Sequence, residues 1–200
     1  MPRKSKRNAL VRVPKSISLQ GSGATHLHVR RTVELADFVC SVATDAQYAI
    51  GFALSDLPSY TEFTSLFDAY RFKKIEILVT PLITQTVPAN TLGKNIMFSA
   101  FDFDSASNRT IAQIEQYDSC ERHSLFEPFT RVLQPRATMS VNPQAAYTQY
   151  SAILPEGVWI DCAFPGVPHY GFLMTAPQQA GNAQTFNVTA RYELEFVRTI

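Results

Sequence analysis

No run of eighteen apolar residues occurs in these 200 residues, so the sequence offers no candidate helix for crossing a membrane. No apolar segment follows the charged N-terminal stretch either. A secretory signal is therefore not expected, and the expectation is a protein made and used on the reducing side. Cysteine is scarce: Cys40, Cys120 and Cys162 are odd in number, far apart and in no Cys-x-x-Cys pair. That pattern fits buried free thiols better than a disulfide framework or a zinc site. The single tryptophan, Trp159, is expected as a core or interface anchor.

The most informative absence is of negative charge. Residues 1–31 contain no Asp or Glu, yet they hold Arg3, Lys4, Lys6, Arg7, Arg12, Lys15, Arg30 and Arg31, eight of the eighteen basic residues. The remaining residues carry the other ten basic side chains against all seventeen acidic ones, so a net charge of +1 conceals a basic arm on an acidic body. Such asymmetry marks a segment that seeks a polyanion. Residues 1–23 mix Lys, Arg, Ser, Gly and Pro with isolated apolar residues and cannot bury enough surface to offset chain entropy, so a disordered arm is expected there. Arg3, Lys4, Lys6 and Arg7 also form a short basic run of the kind a nuclear import receptor reads.

Residues 24–200 are expected to form one domain, since 46% hydrophobic composition and fourteen Phe suffice for a core. The last segment alternates strictly: Phe186, Val188, Ala190, Tyr192, Leu194 and Phe196 fall on one face, and Asn187, Thr189, Arg191, Glu193 and Glu195 on the other. A half-buried strand follows. Leu27, Val29, Val33 and Leu35 alternate with His26, His28, Arg30, Thr32 and Glu34, Arg31 being the exception. Shorter strands are expected at 73–79, 95–103, 129–133, 158–162 and 170–175, with twelve prolines punctuating turns between them. Ser59 to Glu62 reads as a capping box for a helix carrying Phe63, Leu66, Phe67 and Tyr70, and 110–117 as a weaker helix. Many short strands with two inserted helices predict an all-β sandwich of jelly-roll type.

Several segments in order carry a resemblance: Phe67, Tyr70 and Arg71 running into the strand that stops at Pro81; Phe101-Asp-Phe-Asp104; Arg131 to Arg136; Trp159-Ile-Asp161; and Pro168-His-Tyr-Gly171. This order resembles that of capsid proteins from small circular single-stranded DNA viruses that encode a replication-initiator protein, the CRESS-DNA viruses. The resemblance implies a single eight-stranded antiparallel jelly roll in two packed four-stranded sheets. It also implies self-assembly into an icosahedral T=1 virion with the arm inside, around a single-stranded DNA genome, with assembly in the host nucleus. The arm is shorter and less charged than in many such coats, which leaves room for an RNA genome or for help from the inner wall.

The eight basic residues of the arm and first strand are the expected nucleic-acid contacts. Their attraction is sequence-independent, and the six from Arg3 to Lys15 would give a salt slope of about −4 on single strands. The arm lacks aromatics, so any base stacking must come from the wall, toward which His26, His28 and Arg30 are the candidates to extend the basic surface. Asp102 and Asp104 are the candidate pair to share a proton or to hold a hard cation, such as the Ca2+ that resembling coats, chiefly the RNA ones, sometimes use at subunit contacts. No enzyme and no other cofactor is expected: Asp161 and His169 lack a nucleophile elbow, and no phosphate-loop or dinucleotide motif occurs. Attachment to a host cell-surface receptor is decided by surface loops, and loops such as 82–94, 142–157 and 178–184 carry no readable code for it. The alternatives are a coat of a small RNA or satellite virus, with assembly in the host cytoplasm, or a cellular β-barrel nucleic-acid-binding module.

Overall fold

The computed structural model describes residues 24–82, 95–140, 151–179 and 183–199. Two antiparallel sheets face each other. The first is built from β1 (Ala24–Glu34), β12 (Gln184–Thr199), β4 (Ala69–Pro81) and β7 (Phe129–Leu133), adjacent in that order. The second holds β3 (Ala46–Phe52), β11 (His169–Ala176), β5 (Ile96–Phe101) and β6 (Glu121–Ser124). These eight strands form the jelly roll. Four short ones extend it: β2 (Phe38–Cys40) on β12, β10 (Ile160–Asp161) on β4, β8 (Arg136–Ser140) on β11, and β9 (Ser151–Ile153) on β8.

The alternation in β12 does what it predicts, with Phe186, Val188, Ala190, Tyr192, Leu194 and Phe196 almost fully buried between the sheets. They meet Tyr70, Phe72, Ile75, Ile77 and Val79 of β4 and Phe52, Phe172 and Met174 of the opposite sheet in one core. Fully burying such side chains contributes about 1.5–3 kcal/mol each, which is why a strand flanked on both edges carries the strictest pattern.

The β4 sequence breaks the alternation at Lys73 and Lys74, and the register shows how. Lys74 opposes Glu193 while Phe72 opposes Leu194, so Lys73 is an extra residue in a β-bulge. Without it, burying Ile75, Ile77 and Val79 would force Lys73 into the core and Phe72 and Tyr70 out of it. β4 consequently begins at Ala69, four residues before the expected strand, and Tyr70 belongs to it rather than to a helix.

That helix is correspondingly short. α1 (Tyr60–Thr64) has no Ser59 side-chain cap, because Ser59 sits in the left-handed region at φ 59°. Thr64 and Ser65 hydroxyls donate to the Thr61 and Glu62 carbonyls, closing the turn. Of the expected face, Phe63 and Phe67 pack against Phe196, Tyr70 reaches it from β4, and Leu66 is exposed. α2 (Ile111–Ile114) does carry a capping box, Thr110 with Gln113. The segment expected at 158–162 pairs only at Ile160 and Asp161, and 95–103 ends as a strand at Phe101.

Candidate nucleic-acid interface

The solvent face of the first sheet is assembled by register. His28 of β1, Glu195 of β12 and Arg71 of β4 form one row, and because Ile160 pairs with Tyr70, Trp159 arrives beside Arg71. The next row is Arg30, Glu193 and Lys74, and the third is Thr32, Arg191 and Glu76. Side chains join across rows: Arg30 pairs with Glu193, Lys74 Nζ lies 2.7 Å from Glu76 and 3.7 Å from Glu193, and Arg191 is 3.2 Å from Glu76. The hydrogen bond from Lys74 holds the Glu76 carboxyl below its ordinary range and raises Lys74 in return. Pairs this exposed add little to stability, so their main effect is to fix where the cations sit.

At the end where the chain enters from residue 24, Glu195 is buried and takes two partners, Arg71 and, at 3.1 Å, His28 Nδ1. The Arg71 guanidinium carbon lies 4.4 Å from the Trp159 ring centroid, and the His26 ring 6.1 Å from the same indole, tilted by 59°. Arg71 Nη1 also donates to the Gly157 carbonyl.

Of the expected nucleic-acid contacts, Arg3, Lys4, Lys6, Arg7, Arg12 and Lys15 lie outside the described residues. Arg30 and Arg31 do not form one patch. Arg30 faces solvent within the ion-pair chain, while Arg31 shares the parity of Val29 and Val33 and escapes over the sheet edge, 5.4 Å from the Phe63 ring. His26, His28 and Arg30 do share a face, but a mixed one, with Glu193 and Glu195 interleaved.

Asp102 and Asp104 do not stand on a strand; they follow the end of β5 in a bend. The Asp102 carboxylate is 4% exposed and its oxygens are already met by donors: the Asp104 amide at 3.2 Å, Tyr117 Oη at 2.7 Å and Arg109 Nη2 at 3.2 Å. Burial alone would raise this carboxyl, but the hydrogen bonds from Asp104, Tyr117 and Arg109 hold it low, while its bond with Asp102 raises Asp104. The pair therefore titrates apart, Asp102 favouring the charged form and Asp104 the protonated one, with the Arg109 guanidinium beside them. Among the described residues, no group of three or more His, Cys, Asp or Glu gathers as a metal would require.

Other chemistry-bearing groups are buried or already hydrogen-bonded. Ser99 Oγ is 2.8 Å from His123 Nε2, but Ser99 is inaccessible and also takes the Arg131 N–H. His169 donates from Nδ1 to the Val167 carbonyl and packs edge-on against Phe72, while the Asp161 carboxylate receives the Ala163 amide. Cys40 and Cys162 are buried free thiols, pushed up to about 12 and about 11 by desolvation.

Arg71, Lys74, Arg191 and Trp159 were not expected as surface partners. Their signal in the sequence is period-two parity: Arg191 alternates with Ala190 and Tyr192, and Arg71 with Tyr70 and Phe72. The bulge hides the parity of Lys74.

A profile of the family described as Circovirus capsid protein matches residues 2–198. No curated protein matches the chain in sequence. Among solved structures, the 60-mer BFDV capsid protein superposes with a TM-score of 0.71 at 18% identity, covering 89% of this chain and 96% of that one. The decameric BFDV capsid protein gives 0.59 at 19% identity, covering 86% and 99%. The semi-empty particle of Macrobrachium rosenbergii nodavirus gives 0.53 at 8% identity, covering 100% and 95%.

Proposed function

The chain belongs to the circovirus capsid protein family, and from that premise we propose that copies of this viral capsid protein close into an icosahedral T=1 shell around a single-stranded DNA genome. The observation that carries the packaging half is the segregation of charge, eight basic and no acidic residues in the first 31. Each arm binds phosphate weakly and without regard to sequence, by counterion release. A closed shell gathers every arm into one volume, and repetition turns weak contacts into retention. The assembly half is supported by the jelly-roll fold and by the BFDV relative having been solved as a 60-mer.

Arg3, Lys4, Lys6 and Arg7 would first be read by the nuclear import receptor, then by the genome, which fits assembly in the host nucleus. Expression of the full chain followed by size-exclusion chromatography, negative-stain microscopy and nuclease treatment of extracted nucleic acid tests both halves. Megadalton spheres containing DNase-sensitive material are expected. A small discrete species would overturn the shell, and material sensitive only to RNase would replace the DNA genome with RNA.

A further inference from the structure

Trp159 occupies an unusual setting for the only tryptophan in a chain. It is neither in the core nor alone on a surface, but stands half-buried on the polar face of the first sheet, backed by a guanidinium. Arg71 is itself immobilised, by Glu195 and by the Gly157 carbonyl, so the Arg–Trp stack is held before any ligand arrives. His26 supplies a second ring at 59° to the indole. Along the same face run Arg30, Lys74 and Arg191, held in place by ion pairs with Glu193 and Glu76, and the bulge leaves Lys73 exposed next to them.

A preorganised aromatic surface with a cation behind it and further cations in line is the chemistry that holds single strands: backbone phosphates follow the positive groups while a base stacks on the ring. The aromatic partner missing from the basic arm is found where the arm meets the fold, since β1 begins at Ala24, two residues before His26.

We propose that Trp159, backed by Arg71, is a stacking station for one unpaired base of a single-stranded nucleic acid, the nucleotide chain continuing along the Arg30, Lys74 and Arg191 side of the sheet. This rests on the packaging reading above and assigns part of the binding to the wall. Stacking is sequence-tolerant, so DNA and RNA strands are both accepted here and the genome's chemistry is decided elsewhere.

The single tryptophan makes the test direct. The full-length chain is titrated at low salt with oligothymidylate, with oligouridylate, and with a deoxyribose-phosphate strand lacking bases, each labelled so that anisotropy reports binding while Trp159 emission reports stacking. Both base-bearing strands should quench Trp159 with the same saturation that anisotropy shows. The abasic strand should bind without quenching. Trp159→Leu should weaken the two base-bearing strands by about thirtyfold, the middle of the range for one stacked base, and leave the abasic strand unchanged.

Rising anisotropy with unchanged emission, or equal quenching by the abasic strand, would overturn the stacking station and leave arm-based packaging standing. Absence of binding by every strand would overturn both. The wild-type comparison of base-bearing with abasic strands decides the matter even if the Leu variant does not fold.

Discussion

Glu195 receives Arg71 from one neighbouring strand and His28 from the other, a single buried carboxylate joining three strands on the polar face of the first sheet. The same pairing holds Arg71 over Trp159. Removing it with Glu195→Ala leaves a quarter-exposed guanidinium without its partner. Loss of one member of a buried pair costs about 3–5 kcal/mol, and partial exposure reduces this to about 2 kcal/mol. Chemical denaturation should show that loss, accompanied by a changed Trp159 emission as the stack loosens.

Gly171 is the point where β11 passes under the bend that carries Asp102. A Cβ there would lie 2.8 Å from the Asp102 carbonyl and 2.9 Å from that of Ser105, both backbone atoms. Gly171→Ala should therefore destabilise by about 1–3 kcal/mol, as overpacking does. Gly51→Ala meets the rim of the Tyr170 ring instead, at 2.9 Å, and should cost less because a side chain can move. Thermal unfolding of the two variants side by side checks the order.

The opposed shifts of Asp102 and Asp104 make stability depend on pH in two opposed ways. Asp102, held low, contributes stability that is present above the ordinary carboxylate range and lost as pH falls through its folded value. Asp104, raised, contributes stability that is present below that range and lost as pH rises through its own. Asp104→Asn, which mimics the protonated acid, should abolish the second dependence and keep the first. Denaturant midpoints from below the ordinary carboxylate range up to neutral pH report the difference.

His169 gives a wider acid window. Burial pushes its pKa from 6.5 down to about 4, outweighing contacts with the Val167 and Phe52 carbonyls that favour the cation. Between those values the unfolded chain binds more protons than the native one, so stability falls as pH drops from 6.5 toward 4. At about 1.4 kcal/mol per unit, the loss reaches about 3 kcal/mol at the acid end. His169→Gln should flatten the dependence in that window, measured by urea unfolding.

The parts of the fold legible in the sequence are those where burial is one-sided and uninterrupted. β12 and β1 declare themselves by period two, and 129–133 coincides with β7. β3 was not foreseen because Ala46, Ala49 and Gly51 dilute its apolar pattern, nor was β6, whose Glu-Arg-His-Ser sequence lies at a sheet edge with little to bury. The basic residues on the first sheet were half-legible. Parity reveals that Arg30 points outward, but only register reveals that Glu193 lies opposite. The Trp159 platform depends on β10 pairing with β4 from far along the chain, a contact no local pattern encodes.

The central claim is that the arm's charge, set on a jelly-roll shell, does most of the packaging. Replacing Arg3, Lys4, Lys6, Arg7, Arg12 and Lys15 together by Gln and measuring nucleic acid per purified particle tests it most directly. Particles of unchanged size with a sharply reduced nucleic-acid content are expected. Particles as full as those of the unaltered chain would contradict it.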